Sequence, residues 1–215
     1  MLARIVRPRG RSAFLQQLSG SPKILDVGCG NDSPIRTKRI RPDCVYTGLD
    51  IADYHQSLAA IKAADNYLLC RPEEFASTLS SMRNSADAVI SAHNIEHCLE
   101  PEHVLVAMCD ALTENGRMFL SFPAAASVDF PSRAGTLNYF DDPTHRDVPD
   151  LGRLLKILAH KGLKIDFVAE RYRPPLLFLL GMVLEPLSML LKKNMPLGST
   201  WAFYGFETVI WARRP

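Results

Sequence analysis

The 215-residue sequence predicts an α/β fold, an open and mostly parallel sheet with helices on both faces. Two observations carry this prediction. Short apolar runs alternate with helical signals along the chain. The first run, Ile24-Leu25-Asp26-Val27, enters a glycine turn, Gly28-Cys29-Gly30, and the second, Val45-Tyr46-Thr47-Gly48-Leu49, ends on Asp50. Glycines let backbone approach a ligand closely, and a carboxylate about 20 residues on suits the ribose hydroxyls of an adenosine-bearing cofactor.

The remaining elements follow in order. A short helix over residues 12–18 leads into the first strand. A second, over 36–40, is bracketed by Pro34 and Pro42. Residues 57–64 and 74–82 read as helices on either side of the third strand and its turn. Ala86-Asp87-Ala88-Val89-Ile90-Ser91 reads as the fourth strand. The next helix, 101–112, carries Val104, Leu105, Met108 and Leu112 on one face, with Pro101 in its first turn and Gly116 beyond its end. A strand over 117–123 follows. Leu151, Leu154, Leu155 and Leu158 repeat at helical spacing before Gly162. Strands over 163–169 and 203–212 close the domain.

The glycine pattern separates two classes of cofactor. A dinucleotide site wants a third glycine three residues after the second, but that position is Ser33, followed by Pro34. Asp26 opens the turn as Asp-x-Gly-x-Gly, and a carboxylate there suits a ligand with an ammonium better than one with a pyrophosphate. S-adenosylmethionine has an adenosine, an ammonium and no phosphate.

At this point the chain resembles the class I S-adenosylmethionine-dependent methyltransferases. Leu25-Asp26-Val27-Gly28-Cys29-Gly30 is similar to their first motif, and Gly48-Leu49-Asp50-Ile51 to the acidic end of their second strand. His93-Asn94-Ile95-Glu96-His97 is similar to the turn after their fourth strand, and residues 115–123 to their fifth strand with its preceding turn. The likeness covers roughly residues 20–170. It implies a Rossmann-like seven-stranded sheet whose last two strands are antiparallel, with S-adenosylmethionine as cofactor. It implies cofactor contacts at Asp26, Gly28, Gly30, Asp50, Ile51, His93 and Asn94, those of His93 partly through its backbone. One departure stands out: Cys70 occupies the place where the family commonly carries an acidic residue for the adenine amino group, leaving Glu73 or a backbone carbonyl to substitute.

Composition is that of one soluble domain: 47% hydrophobic, 22% charged, net charge +2. That balance gives no reason to expect nucleic acid as partner. Arg4, Arg7, Arg9 and Arg11, then Arg36, Lys38, Arg39 and Arg41, cluster locally, and solvated arginines are the plain explanation. Five cysteines without a Cys-x-x-Cys pair point to a reducing, cytoplasmic setting, and no signal peptide is visible.

Three segments elaborate the domain: a basic, helical extension over 1–19, a loop over 124–149 and an apolar insertion over 174–200. The loop leaves the carboxyl end of the fifth strand, where ligands bind in open α/β sheets. It holds Asp141-Asp142-Pro143-Thr144-His145-Arg146, a piece similar to one in bacterial methyltransferases encoded with polysaccharide-assembly enzymes. His145 is the candidate general base for a hydroxyl acceptor. His93 and His97 could share one helical face, but this is not His-Glu-x-x-His and supplies no third ligand, so no metal is expected.

In the apolar insertion, Glu185-Pro186 interrupts a run too short to span a bilayer, and Lys192 and Lys193 follow it. A buried helix pair, a dimer contact or a peripheral membrane patch are the alternatives. The function expected is methyl transfer to an oxygen or nitrogen of a small-molecule or saccharide-type acceptor. The alternative is a degenerate relative that binds cofactor or partner without turnover.

Overall fold

The structure, a computed structural model, describes residues 8–215. The strands are β1 (Lys23–Val27), β2 (Val45–Asp50), β3 (Asn66–Leu69), β4 (Ala86–Ala92), β5 (Leu112–Pro123), β6 (Lys164–Ala169) and β7 (Glu207–Arg213). They form one seven-stranded sheet in the order β3-β2-β1-β4-β5-β7-β6. β1 to β5 pair in parallel, and β7 runs antiparallel to both β5 and β6. The expected seven-stranded Rossmann-like sheet with an antiparallel end is the observed one.

Strand periodicity explains why both faces are covered. Leu25, Val27, Met118, Leu120 and Phe122 point into one apolar layer, and Ile24 and Phe119 point into the other. The first layer is closed by α4 (Phe75–Ser80), α5 (Pro101–Ala111) and α6 (Leu151–His160). In the second, Phe14 of α1 (Arg11–Gln16) meets Trp211 edge-on, 5.4 Å between ring centres.

The helices start where local chemistry allows. The Ser57 hydroxyl caps α3 (Leu58–Ala63) by accepting from Ala60 N, and the Asp150 side chain caps α6 by accepting from Arg153 N. α2 begins at Ser33, earlier than its sequence expectation, because Pro34 is tolerated in a first turn, whose N–H groups lack partners anyway (Ser33–Ile40). The last strand is shorter than expected: residues 199–204 form α8 (Ser199–Tyr204), and Gly205 at φ 66° ends it before β7.

The basic clusters are mostly structural. Arg41 donates to the carbonyls of Leu15 and Leu18 as well as to Asp43. The Arg9 guanidinium lies 5.0 Å from the Trp211 ring centre, and Arg11 reaches Asp26. Arg4 and Arg7 lie outside the described residues.

The apolar insertion departs most from expectation. Glu185-Pro186 does not divide it: α7 (Pro175–Leu191) runs through Pro186 as one helix. Its buried positions are Gly181, Glu185 and Ser188, spaced along one face, whereas Leu176, Met182, Val183, Met189 and Leu190 are exposed. The usual amphipathic order is inverted. Gly181 permits this packing, since a Cβ there would lie 2.1 Å from the Ser199 carbonyl oxygen of α8. Glu185 completes the seam by accepting from the Tyr204 hydroxyl at 2.6 Å and pairing with Arg133 at 3.3 Å. Among the described residues no helix is long and apolar enough to cross a membrane.

Candidate active site

The order in which strands are added reverses between β1 and β4, which run parallel: β2 and β3 build outward on one side, β4 and β5 on the other. In open α/β sheets ligands bind at this switch point, outside the carboxyl ends of the strands. Gly28 sits there with φ 77°, and its N–H donates to the Leu49 carbonyl at 2.9 Å. A Cβ on Gly28 would stand 2.4 Å from Asn94 Cγ, so both the dihedral and the approach of the turn after β4 demand glycine. Gly30 faces the Tyr54 carbonyl, 3.1 Å from where its Cβ would be.

Asp50 ends β2 beside this turn and is only 8% exposed, so its carboxylate does not face bulk water. Burial pushes its pKa up; the Ile51 amide, bonding Oδ1 at 2.8 Å, pulls it down, and nearby Asp26 pushes it up again. Ile51 itself is about half exposed at the rim. Bare turn and buried carboxylate lie on adjacent strands in register, Val27 opposite Leu49. These features fit an adenosine-bearing cofactor.

Asp26 has a different role. Its Oδ2 accepts from Ser33 Oγ at 2.5 Å, Tyr46 Oη at 2.6 Å and Arg11 Nη2 at 2.8 Å. That oxygen braces the glycine turn from below, and three donors already occupy it. Arg11 and Tyr46 are braces that the motif alone did not reveal.

A second unanticipated feature is a strap from the β2–α3 connection. Asn31 N donates to the Tyr54 carbonyl at 2.9 Å, Gln56 Nε2 to the Cys29 carbonyl at 2.5 Å, and Ser57 N to Asp32 Oδ1 at 2.7 Å. Cys70 follows β3 as expected, its N–H bonded to the Asp50 carbonyl at 3.1 Å. Glu73 sits in a short 3₁₀ turn nearby.

Beyond β4 the site is made of side chains. His93 adopts φ 54°, and its ring points toward β7, with Nε2 2.9 Å from Glu207 and Nδ1 3.2 Å from Glu96. Trp201 and Phe206 flank it, at 5.0 and 6.0 Å between ring centres. Burial alone would depress the imidazolium, but the carboxylates of Glu207 and Glu96 hold its pKa up at about 10. The imidazole is thus committed to the β7 side and the His93 N–H to the Ser121 carbonyl of β5 at 2.9 Å, while Asn94 lies over Gly28.

The post-β5 loop folds back onto the same turn. Arg146 N donates to the Glu96 carbonyl at 2.9 Å, and Arg146 Nε to the His97 carbonyl at 3.1 Å. His145 is thereby brought against His97, 4.8 Å between ring centres, and against Tyr139 at 4.5 Å. Its side chain is 5% exposed, and Nδ1 is bonded to the Tyr139 carbonyl at 2.6 Å. Sequence spacing could not have paired His97 with His145, because the loop's return path is a tertiary outcome.

A family model described as "Methyltransferase domain" matches residues 3–167. The chain belongs to this methyltransferase-domain family. Among solved structures, it is similar to an S-adenosylmethionine-dependent methyltransferase from Archaeoglobus fulgidus, at 18% identity and TM-score 0.56, covering 94% of this chain and 90% of that one. It is also similar to one from Mesorhizobium loti, at 15% identity and TM-score 0.58, with 91% and 92% covered. A TehB-like S-adenosylmethionine-dependent methyltransferase from Corynebacterium glutamicum matches at 18% identity and TM-score 0.52, with 95% and 87% covered. Among curated proteins none matches. These findings support S-adenosylmethionine as the cofactor of this methyltransferase-domain chain.

Proposed function

We propose that this chain transfers a methyl group from S-adenosylmethionine to an oxygen or nitrogen of a small-molecule or saccharide-type acceptor. The observation that carries this reading is the buried Asp50 carboxylate beside the bare Gly28 turn at the switch point. In this reading Gly28, Gly30, Asp50, Ile51, Asn94 and the His93 backbone hold the cofactor, while Asp26 fixes the turn from beneath. The cofactor supplies an electrophilic methyl on a sulfonium; the protein supplies orientation.

The acceptor enters from the β4–β5 side, where the 124–149 loop carries His145. With Nδ1 engaged by a carbonyl, His145 has only Nε2 free to take a proton from an acceptor hydroxyl. Asp142 and Arg146 at the loop surface suit the hydroxyls of a sugar.

The inverted α7 supports an acceptor presented at a lipid surface. Its exposed Leu176, Val183 and Leu190 would rest in the acyl boundary, with Lys192 and Lys193 after it facing acidic headgroups. Incubation with methyl-labelled S-adenosylmethionine, saccharide-linked lipids and free sugars tests the reading. Label should pass to an acceptor oxygen or nitrogen, and more readily to the lipid-linked form. Label transferred to none of a broad acceptor panel contradicts it.

A further inference from the structure

Glu96, His97 and His145 each offer one ligand atom, and these atoms all lie within 4.8 Å of one another. Hydrogen bonding fixes which imidazole nitrogens are available. The Thr144 hydroxyl donates to Asp142 Oδ1 at 2.6 Å, so its oxygen, 3.0 Å from His97 Nδ1, can only accept from that nitrogen. The Tyr139 carbonyl, 2.6 Å from His145 Nδ1, can likewise only accept. In its neutral form each ring therefore carries N–H at Nδ1 and a lone pair at Nε2. Metal-binding histidines are oriented in this way by outer hydrogen bonds to carbonyl or other oxygen acceptors.

The third member adds an independent observation. Glu96 has a fully buried side chain, and its Oε2 has no partner among the described residues. Oε1 lies 3.2 Å from His93 Nδ1, an ion-pair distance without hydrogen-bond alignment. Leaving a buried carboxylate oxygen unpaired is costly. Arg146, the nearest cation of the loop, spends its Nε on the His97 carbonyl instead. A cation between Glu96 and the two imidazoles would satisfy that oxygen.

We propose that Glu96, His97 and His145 form a binding site for a divalent transition-metal ion of the zinc type. Two imidazoles and one carboxylate match the ligand preferences of Zn²⁺, Fe²⁺ or Co²⁺ better than those of Mg²⁺ or Ca²⁺, which favour oxygen shells. Bond lengths of about 2 Å require the three side chains to close by roughly 1 Å. Three protein ligands leave a coordination position open, and an acceptor oxygen can occupy it. That purpose rests on the methyltransferase reading; the site itself does not. The ion takes the His145 Nε2 lone pair, so His145 acts as ligand in this account and not as free base.

Chelator-stripped full-length protein, dialysed against Zn²⁺ and separately against Co²⁺, tests the site without any turnover assay. One equivalent of Zn²⁺ should bind, and His97→Gln and His145→Gln should each weaken binding at least 10-fold while the circular dichroism stays native. The Co²⁺ form should show visible d–d bands without sulfur-to-metal charge transfer. Absence of stoichiometric binding, binding indifferent to both variants, or a sulfur band implicating Cys98 would each overturn the proposal. S-adenosylmethionine binding, measured on the same sample, reports separately on the methyltransferase reading.

Discussion

The two halves of the site's edge are built by different means. At β1 and β2 the ligand-facing surface is mostly main chain: Gly28, Gly30 and a single carboxylate, Asp50. Past β4 the edge rests on a largely buried network of side chains, His93, Glu96, His97 and His145, with Glu207 arriving from β7. The first half has little room for variation, because its shape depends on backbone dihedrals and close approach. The second is set by which residues a long loop and a C-terminal strand deliver. In the proposed reading, cofactor binding belongs to the first half and choice of acceptor to the second.

Substitutions can break this contrast, and Gly28→Ala should have the largest effect. A methyl group would be forced into Asn94 at a φ of 77°. Cofactor binding should be lost, and stability should fall by about 2 kcal/mol or more. Urea unfolding and calorimetry check both. A variant that binds normally would show that the main-chain half is more plastic than described.

On the side-chain half, His93→Ala strips the cation from between Glu96 and Glu207. Removing one partner of a buried charge cluster costs about 3 kcal/mol. The unfolding midpoint in urea should drop accordingly while S-adenosylmethionine affinity changes little. A large loss of cofactor affinity in a folded His93→Ala protein would erase the division between the halves.

The smallest effect on stability should come from the exposed face of α7. Val183→Glu combined with Leu190→Glu touches two residues that are 73% and 79% exposed, so stability should move by no more than about 0.5 kcal/mol per site. Co-sedimentation with acidic vesicles should nevertheless fall sharply. Equal sedimentation of both proteins would remove the lipid surface from the account.

Much of the first half was legible in the sequence, because its signals are local. Gly28, Gly30 and Asp50 stand at spacings that strand-turn-helix geometry dictates, and the order of strands followed from alternation and resemblance. The second half was not legible, because its pairings are non-local. Nothing in the spacing of His97 and His145 places their rings together; the Arg146 clamp on the Glu96 and His97 carbonyls does. For the same reason the cluster that forms, Glu96, His97 and His145, keeps only His97 of the His93–His97 pair read from the sequence and takes His145 from a distant loop. Pro186 misled in a different way. A proline suggests a break, yet at an exposed position on α7 its missing N–H is tolerated, and the helix continues.

Asp50 offers the most direct measurement. Titration calorimetry of the wild type with S-adenosylmethionine should show one site, and Asp50→Asn should weaken it by about 2 kcal/mol, the worth of a charged hydrogen-bonding partner. Because burial already raises the Asp50 pKa, neutralising it should leave the unfolding midpoint of the ligand-free protein unchanged or higher. Equal affinity in the two proteins, or no heat of binding in the wild type, would contradict the assignment of this edge as the cofactor seat.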